Sequence, residues 1–573
     1  MGRMLQFMSA AWWRPFTPKL VTVLREGYGA ADLRQDFIAG LTVAIVALPL
    51  AMALAIASGT TPDKGLVTAI VAGFLISALG GSRVQIGGPT GAFVVVVFNV
   101  IATHGYDGLV LATLMAGVML VIAGFARFGT WIKYIPEPVV TGFTAGIAVI
   151  IFTSQIKDLL GLPVAEVPAD FLDKIRVFAA HMDAISPASV AISGLALAVI
   201  ILLRRHAPRA PAFLIVVVAA SLAVALFGVE TDTIGSRFGG IPSSLPAPSL
   251  PEITFARMAE LLPSAFTIAF LAGVESLLSA VVADGMTGFR HRSNTELIAQ
   301  GVANSASALF GGLPATGAIA RTATNIRSGA RSPMAGMFHA LFLLLAILLL
   351  APLAVYVPLA ALAAVLVMVA WNMSDAPRFR HLLSAPPGDV AVLLITFALT
   401  VLVDLTVAIE VGVVMAALLF MHRMAEVVAV GSGPKLIASG DERDAELLEE
   451  DQRQGLPAGI EVFQIQGPLF FGVANRLNDF LEALRRPPKI MILRLRHVPL
   501  MDASGVTAFE NFIERCRRAG IRLIISGLQP QPRMILRQMG VKAGWPEHEV
   551  TSVRDYAAAR ELAERELKAR AAE

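Results

Sequence analysis

Residues 86–97, IGGPTGAFVVVV, are echoed in the second half of the chain by residues 311–322, GGLPATGAIART. Each stretch places glycines and a proline ahead of Thr-Gly-Ala and then runs into helix-forming residues. Because proline and paired glycines break a regular helix, each stretch is expected to be extended first and helical second. One breaker repeated in both halves is the feature from which the fold and the site are inferred.

The composition is that of a membrane protein. Of the 573 residues, 56% are hydrophobic and 16% are charged, whereas a soluble domain carries about a quarter charged residues. The uncharged run at residues 37–57 matches the roughly 20 residues needed to cross a bilayer. Similar runs recur up to residue 421, and together they predict about fourteen crossings in an all-α polytopic membrane domain.

Basic residues fall in alternate loops. Arg204 and Arg205 follow the sixth predicted segment, and Arg290 and Arg292 follow the eighth. Lys and Arg mark the cytoplasmic side of a membrane protein, so both termini are expected in the cytoplasm with an even number of crossings. Residues 1–36 show no cleavable signal pattern and are expected to form a cytoplasmic N-terminal segment.

The hydrophobic pattern of the sequence changes after residue 421. Short apolar strands, IEVFQIQG, KIMILRLR and IRLIISG, alternate with amphipathic stretches, which is typical of a small α/β domain. We therefore expect a transmembrane domain at residues 37–424 and a cytoplasmic α/β domain with a C-terminal helix at residues 425–573. The single cysteine, Cys516, excludes an intramolecular disulfide.

The two broken stretches predict a binding site. Non-helical backbone in a bilayer is tolerated only where it is buried in protein or lines a wet cavity, and interrupted spans at matching positions of two halves point to a transporter site. The crossing order predicts one helix that starts near Thr90 and runs outward, and another that starts near residues 316–318 and runs inward. Two electropositive helix N-termini then face each other at the midplane. The alternative is a pair of packing kinks.

Small and cationic residues surround these helix starts. Gly317 and Ala318 leave room for a ligand to reach the backbone, and Arg321 adds a full positive charge one turn inside the second helix. The pattern predicts an anion site. The candidate substrate-binding residues are Thr90, Gly91, Ala92, Phe93, Gly317, Ala318, Ile319, Ala320 and Arg321.

Longer motifs resemble one family. They are EPVVTGFTAGIAVIIFTSQIKDLLG from Glu137, SNTELIAQG from Ser293, TGAIARTATN from Thr316 and LTVLVDLTVAIEVGV from Leu399. They resemble the SulP anion transporters, and PLMDASGV from Pro499 resembles their STAS domain. The resemblance implies a seven-plus-seven inverted repeat divided into core and gate domains, a homodimer, and elevator-like movement of the core with the anion between the third and tenth segments. A multi-pass protein of the bacterial inner membrane is expected.

Shorter motifs bear on the substrate. Within the family, VALPLAMALAIASG, VESLLSAVVADGMTG and VLVMVAWNMS resemble the aerobic C4-dicarboxylate transporters of enterobacteria. This resemblance implies fumarate, succinate or aspartate as the substrate, coupled to protons. Sodium-coupled bicarbonate transport and proton-coupled sulfate transport are the alternatives. Ala318, Ile319 and Ala320 stand where many sulfate carriers have hydroxyl residues, which weakens the sulfate interpretation.

Glu275 lies in the middle of the span FLAGVESLLSAVV. A carboxylate at that depth costs about 3 kcal/mol or more, so it is a functional residue by default. The resemblance places it beside the anion site, where it is expected to carry the coupling proton. The alternatives are a sodium ligand and a structural ion pair that neutralises Arg321.

Four other residues are candidates for local roles. Glu296 lies three residues after Ser293, the spacing of a capping box, and a role in transport chemistry is the alternative. Asp284 is expected to cap a helix or to contact solvent. His339 is expected to be a satisfied packing histidine, with a proton relay as the alternative. Phe93 is expected to pack against the substrate or to seal the core against the gate.

Ser504 is a regulatory candidate. It lies in Asp502-Ala503-Ser504-Gly505, which resembles the site phosphorylated in bacterial anti-sigma antagonists of the STAS class. A phosphate is favourable at a helix N-terminus. The alternative is that Ser504 is only an N-cap.

The leading hypothesis is a secondary active transporter of small anions. An anion channel of the same fold and a membrane-anchored STAS signalling protein are the competing classes. The sequence offers no nucleophile–base constellation, zinc-ligand spacing or phosphate-binding loop, so neither an enzyme nor a cofactor is expected. The expected partners of the protein are the small anion, the coupling ion and the lipid bilayer.

Overall fold

The computed structural model describes residues 16–130, 136–164, 167–168, 170–207, 210–403, 405–427, 429–431, 456–469, 488–539 and 550–572. The chain divides into two compact units, Met1–Ala416 and Ala417–Glu573. Residues 1–15 of the expected N-terminal segment lie outside the described residues.

The first unit is built from helices, with two very short strands between them. Its elements are α1 (Lys19–Glu26), α2 (Ala30–Ala57), α3 (Pro62–Leu79), β1 (Gly87–Gly88), α4 (Gly91–Phe125), α5 (Glu137–Leu160), α6 (Phe171–Ala180), α7 (Pro187–His206), α8 (Ala212–Phe227), α9 (Ile234–Phe238), α10 (Phe255–Thr287), α11 (Ser293–Leu309), β2 (Thr316–Gly317), α12 (Ile319–Arg327), α13 (Met334–Leu350), α14 (Leu359–Met373), α15 (Ala376–Leu382), α16 (Pro387–Leu402) and α17 (Leu405–Val427), the last of which continues into the second unit.

Fourteen helical segments correspond to the predicted crossings. Gly105, at φ 71° and ψ 178°, divides α4 into two pieces. With these pieces counted separately and α1, α6, α9 and α15 set aside, seven segments come before residue 228 and seven after residue 254 in the described ranges. Nine helices of the described residues are long and apolar enough to span a bilayer, and two shorter ones, Ala212–Phe227 and Pro387–Leu402, are also apolar. The predicted all-α membrane fold is confirmed.

The packing of these segments repeats between the halves. α2 and α3 both pack against α13, as α10 and α11 both pack against α4. Likewise α5 packs against α16, as α14 packs against α7. The contacts therefore separate a core of α2, α3, α4, α10, α11, α12 and α13 from a second group, α5, α7, α8, α14 and α16, which we call the gate helices.

Small residues allow the core helices to approach closely. A Cβ added to Gly117 of α4 would lie 2.7 Å from the carbonyl oxygen of Gly301 in α11, and one added to Gly301 would lie 2.5 Å from the carbonyl oxygen of Gly117. No side chain fits between these backbones. Close contact of this kind supplies the van der Waals packing that holds helices together in lipid.

The second unit contains a five-stranded sheet in the order β3-β4-β5-β6-β7. Only β3 runs antiparallel to its neighbour, and the other strands are parallel. The elements are β3 (Ala429–Gly431), β4 (Ile460–Gln466), β5 (Ile490–His497), α18 (Ala503–Arg518), β6 (Arg522–Ser526), α19 (Pro530–Gln538), β7 (Val550–Val553) and α20 (Tyr556–Ala572).

Both faces of this sheet are covered. Leu493 and Ile525 lie in an apolar cluster with Phe509 of α18, whereas Ile492 and Ile524 lie in a separate cluster that contains Ala559 and Ala563 of α20. Successive strand residues point to opposite faces. Two covered faces therefore explain the nearly continuous apolar runs KIMILRLR and IRLIISG.

An ion pair between a buried arginine and a partly exposed glutamate joins the sheet to α20. Arg522 of β6 is 4% exposed, and its Nε and Nη2 donate to the two carboxylate oxygens of Glu566 at 2.8 and 2.9 Å. Cys516 on the other face is 1% exposed. Burial raises the pKa of its thiol to about 12, so the thiolate that reacts with alkylating reagents is scarce while the unit is folded.

We expect Glu566→Ala to lower the free energy of unfolding of the second unit by about 2–3 kcal/mol, because a buried guanidinium loses its charged partner. Alkylation of Cys516 in the full-length protein at pH 8 measures this effect, since the thiol reacts when the unit opens. Labelling should accelerate by about 30- to 150-fold. Glu561→Ala removes only the exposed pair with Arg565 and is the control. Equal rates in all three proteins would contradict the expectation.

Candidate functional site

The two broken stretches pair with each other. β1 and β2 run antiparallel, with Gly87 opposite Gly317. The pairing continues in a hydrogen bond of 2.8 Å from Ala318 N to Ile86 O. Because a helix follows each strand, the antiparallel pair places the starts of α4 and α12 at the two ends of this short ladder and points the helices in opposite directions. Each stretch is extended and then helical, as the sequence predicts.

Polar side chains satisfy the backbone of the second stretch. Asn304 of α11 accepts a hydrogen bond from Ala315 N and donates one to Ala315 O, both at 2.8 Å. Thr68 of α3 accepts from Leu313 N at 2.6 Å, and Ser307 of α11 donates to Leu313 O at 2.7 Å. Each unpaired backbone group would cost several kcal/mol inside a membrane, so these side chains make the interruption possible.

The first stretch is held by α10 and α12. Ile86 N donates to Thr322 Oγ1 of α12 at 3.0 Å. Gln85 Nε2 donates to the carbonyl oxygen of Ser276 in α10 at 3.2 Å and to Ser276 Oγ at 3.1 Å. All three hydrogen bonds join the two halves of the chain, so the second half supports the broken stretch of the first, as Thr68 of the first half supports that of the second.

No described side chain caps the start of either helix. Thr90 precedes α4 with extended backbone, and its hydroxyl makes no capping hydrogen bond. Ala318 holds the same position before α12 and has no polar side-chain atom. The first N–H groups of a helix have no partner within the helix. Here they are left for a ligand, and an anion is the ligand that a helix N-terminus favours.

Thr90 and Arg321 place polar groups next to these helix starts. The hydroxyl of Thr90 donates to Glu275 Oε2 of α10 at 2.9 Å. Arg321 of α12 is 3% exposed, and its Nη2 donates to the carbonyl oxygen of Pro89. In the part of the chain that the structure describes, Arg321 Nε has no hydrogen-bond partner. A buried cation therefore lies beside both helix starts with one donor unused.

Two side chains of the gate helices pack closely against the start of α4. A Cβ added to Gly91 would collide with the sulfur of Met373 in α14 and would lie 3.2 Å from Ile151 Cδ1 in α5. Both side chains belong to gate helices, whereas Gly91 belongs to the core. The candidate site thus lies at the boundary between the two groups, and its outer wall is apolar.

The structure brings several of the predicted substrate-binding residues to the paired strands, namely Thr90, Gly91, Gly317, Ala318 and Arg321. Ala92 and Phe93 are 0% and 2% exposed and lie in the main apolar cluster of the first unit. Ile319 and Ala320 are exposed. The predicted set therefore includes residues that line the helix starts and residues that support or flank them.

The predicted capping box at the start of α11 is wrong. Arg292 is the N-cap residue, and no side-chain cap hydrogen bond forms there. Glu296 is 0% exposed, and its carboxylate accepts from Gly81 N, Ser276 Oγ and Gln300 Nε2. The side chain reaches across to the end of α3 and to α10, because these neighbours offer donors where the sequence shows only the local spacing.

Asp284 agrees with its expected role, since its side chain is 23% exposed and accepts from a backbone N–H, whereas His339 differs from a satisfied residue. Asp284 accepts from His291 N at 3.0 Å and pairs with His291 Nδ1 at 2.7 Å, which holds the turn between α10 and α11. His339 is 0% exposed and packs against Gly73. Neither of its ring nitrogens has a hydrogen-bond partner among the described residues. The expected packing role is present, but the expected polar satisfaction is not.

Ser504 is exposed in the first turn of α18. The N-cap of this helix is Asp502, whose carboxylate accepts from Gly505 N at 2.6 Å. The capping role considered for Ser504 therefore belongs to Asp502, and the serine hydroxyl is accessible.

The polar face of α11, which includes Asn304 beside the second broken stretch, was not predicted as a group. Glu296, Gln300 and Asn304 recur every four residues and therefore share one face of α11. Polar residues are costly inside a membrane segment, so this spacing was an available signal. No signal in the sequence indicates that Met373 lies at the site, because an apolar residue in an apolar helix is the ordinary case.

Two family models match the chain. The model of the sulfate permease family matches residues 33–396, and the model of the STAS domain matches residues 456–547. The first match covers well over half of the chain, and the second lies in the unit that contains the five-stranded sheet.

Named relatives span nearly the whole length. The chain is 41% identical over 518 residues to YvdB of Bacillus subtilis, a protein provisionally named a sulfate transporter, with 90% of this chain and 95% of YvdB covered. It is 31% identical over 525 residues to the bicarbonate transporter BicA of Picosynechococcus, with 89% and 91% covered.

Solved structures share the fold. The structure of SLC26A9 superposes with a TM-score of 0.85 at 16% identity, over 100% of this chain and 96% of that one, which shows the fold alone. The transmembrane domain of a cyanobacterial BicA superposes with a TM-score of 0.60 at 28% identity, over 68% of this chain and 98% of that domain.

We expect Gly91→Ala to slow solute uptake by the reconstituted protein several-fold, because the added methyl group displaces Met373 and overpacking costs about 1–3 kcal/mol. Met373→Ala in the same chain should restore the rate. Gly194→Ala is the matched control, since a Cβ at Gly194 meets nothing within 4 Å. A double variant as slow as Gly91→Ala alone would contradict the expectation.

Proposed function

The chain belongs to the sulfate permease family and carries a STAS domain, and on this premise we propose that it is a secondary active transporter of small anions. The observation that carries the proposal is the antiparallel pairing of β1 with β2, which sets two uncapped helix starts beside the buried Arg321. Each start contributes about half a positive charge, and Arg321 contributes a full one. An anion is the ligand that this field favours.

Glu275 is the proposed coupling residue. Its carboxylate, when ionised, offsets part of the positive charge around Arg321, and protonation removes that offset. Binding of a proton and binding of an anion therefore strengthen each other, and the coupling is reciprocal. A sodium ion beside the same carboxylate would act in the same sense and is the alternative coupling ion.

The proposed substrate is a small oxyanion, sulfate or bicarbonate. The names of YvdB and BicA support this class, and neither protein is named for a C4-dicarboxylate. Ala318, Ile319 and Ala320 offer no hydroxyl groups, so backbone N–H groups and Arg321 are the proposed donors, and oxyanions accept from both. Fumarate, succinate and aspartate remain the second substrate class, on the strength of the motif resemblance.

We propose that transport moves the core against the gate helices, as in an elevator. The contact of Gly91 with Met373 and Ile151 crosses this boundary, and such a movement must break it.

A homodimer in the bacterial inner membrane is proposed, with both termini in the cytoplasm. The proposed domain limits are 1–36, 37–424 and 425–573, and Ser504 is proposed as a phosphorylation site because it is exposed in the first turn of α18.

A channel and a membrane anchor are less favoured. An anchor for the STAS domain has no use for Arg321 and Glu275, which are costly in a membrane. A channel needs a continuous wet path, whereas apolar gate residues press on Gly91 in this structure. Accumulation of the anion against its gradient separates the two classes, since a channel cannot achieve it.

We expect Glu275→Gln to reduce proton-driven uptake by at least about tenfold, because a glutamine cannot take up the coupling proton. Anion exchange across the same proteoliposomes should persist, since Arg321 and both helix starts are intact. The measurement is uptake of labelled anion with and without an inward proton gradient. Uptake that keeps its dependence on the gradient would remove Glu275 as the coupling residue.

A competition experiment tests the substrate class. Sulfate or bicarbonate should displace a labelled oxyanion at lower concentration than fumarate, succinate or aspartate. Arg321→Ala should weaken the binding of every competitor by about 2–3 kcal/mol, roughly 30- to 150-fold, because each loses a charge-assisted hydrogen bond. Stronger displacement by fumarate would reverse the order of substrates, and unchanged affinities in Arg321→Ala would place the anion elsewhere.

A further inference from the structure

A second carboxylate, that of Glu296, lies behind the candidate site. It is 0% exposed. Three groups donate to it at 2.9 Å, namely Gly81 N, Ser276 Oγ and Gln300 Nε2. Within the described ranges, no Lys, Arg or His nitrogen lies within 4.0 Å of its oxygens. The two oxygens of Glu296 are the acceptors in all three contacts.

The surroundings of Glu296 suit a hydrogen-bond acceptor, with no basic side chain beside it in the described ranges. Glu296 lies in the first turn of α11, where the helix N-terminus carries a partial positive charge. When Glu296 is ionised, the three hydrogen bonds are charge-assisted and therefore strong. Removing the charge would leave three inward-pointing donors with a poorer acceptor, and buried donors without a partner are costly.

Glu296 is connected to the proposed coupling residue through Ser276. Ser276 follows Glu275 in α10, and successive residues of an α-helix point about 100° apart. While Ser276 Oγ is held by Glu296 at 2.9 Å, this turn of α10 directs Glu275 to another side, where its Oε2 accepts from Thr90 at 2.9 Å. The direction of one carboxylate therefore depends on the hydrogen bond of the other.

Glu296 is also connected to the second helix start, through Gln85. Gln85 Nε2 donates to Ser276 Oγ at 3.1 Å. The Gln85 amide lies against Gly317, where a Cβ would collide with it, and that Cβ would lie 3.2 Å from the Cα of Ser276. A shift of Ser276 or Gln85 therefore displaces β2 and the start of α12.

We propose that Glu296 is a positioning residue for anion binding, which fixes Glu275 through Ser276 and fixes β2 through Gln85. Its donors come from both halves of the chain, Gly81 from the first and Ser276 and Gln300 from the second. It therefore joins the two halves of the chain at one point, next to the broken stretches. The proposal rests on the proposed function, because it assigns Glu296 a role in that same site.

Four variants of the full-length protein in proteoliposomes test the proposal. Glu296→Gln removes the charge at nearly constant volume, and Glu296→Asp keeps the charge on a shorter side chain. Ser276→Ala removes the hydroxyl through which Glu296 is connected both to Glu275 and to Gln85, and it serves if Glu296→Gln does not fold. Thr113→Ala is the matched control, because Thr113 is 0% exposed in the core and bonds only within α4, to Leu109 O.

The expected result is a change in affinity. Glu296→Gln should raise the half-saturating concentration of the transported anion by about tenfold or more, and Glu296→Asp should recover part of that loss. Thr113→Ala should lower the melting temperature without a change in half-saturation. The double variant of Glu296→Gln with Ser276→Ala should be within about twofold of Glu296→Gln, because both act on one connection.

Hydrogen exchange supplies a readout that is independent of transport. In Glu296→Gln, the amides of residues 83–92 and 314–320 should exchange faster than in the unmodified protein, and in Thr113→Ala they should not. If the protein carries no anion but exchange changes in this way, the proposed function fails while the connection holds. A lower melting temperature with unchanged half-saturation and unchanged exchange would overturn the positioning role, as would multiplicative losses in the double variant.

Discussion

The fold depends on one constraint: a peptide group that leaves a helix inside a bilayer must find its hydrogen-bond partner within the protein. Two stretches of this chain leave the helix at matching places, and they meet that constraint jointly. β1 and β2 pair with each other, and side chains of α3, α11 and α12 bond to further backbone groups of the two stretches. On α11, Asn304 bonds to Ala315 and Ser307 bonds to Leu313, which explains why a membrane segment carries these two polar residues.

The same hydrogen bonds decide where the site is. The backbone of the two strands is satisfied by side chains, but the first N–H groups of α4 and α12 are left without a side-chain cap among the described residues. The hydroxyl of Thr90 donates to Glu275 and does not cap α4. Ala318 has no polar side-chain atom that could cap α12. The two helix starts without a side-chain cap thus lie next to the paired strands and near Arg321. An anion there would complete the hydrogen bonding that the protein leaves open.

The errors of the sequence analysis have a common cause. Glu296 fits a local capping pattern, and His339 fits the pattern of a packing residue, because each was compared only with its neighbours along the chain. In the folded protein Glu296 accepts from Gly81, which lies 215 positions away in sequence. His339 is enclosed by helices that leave its ring nitrogens without a partner in the described ranges. Local spacing does not report which donors tertiary packing brings near.

The sequence by itself determined the membrane class, the count of about fourteen segments, the two interrupted spans and the α/β nature of the last domain, because hydrophobic periodicity and helix breakers act over neighbouring residues. It also predicted that Arg321 and the small residues of both stretches belong to one site, since the breaker occurs twice. Only the tertiary structure decided that Glu275 meets Thr90, that Met373 and Ile151 press on Gly91, and that Glu296 ties both halves together. These contacts join residues far apart in the chain, and side-chain geometry is fixed only when whole helices have packed.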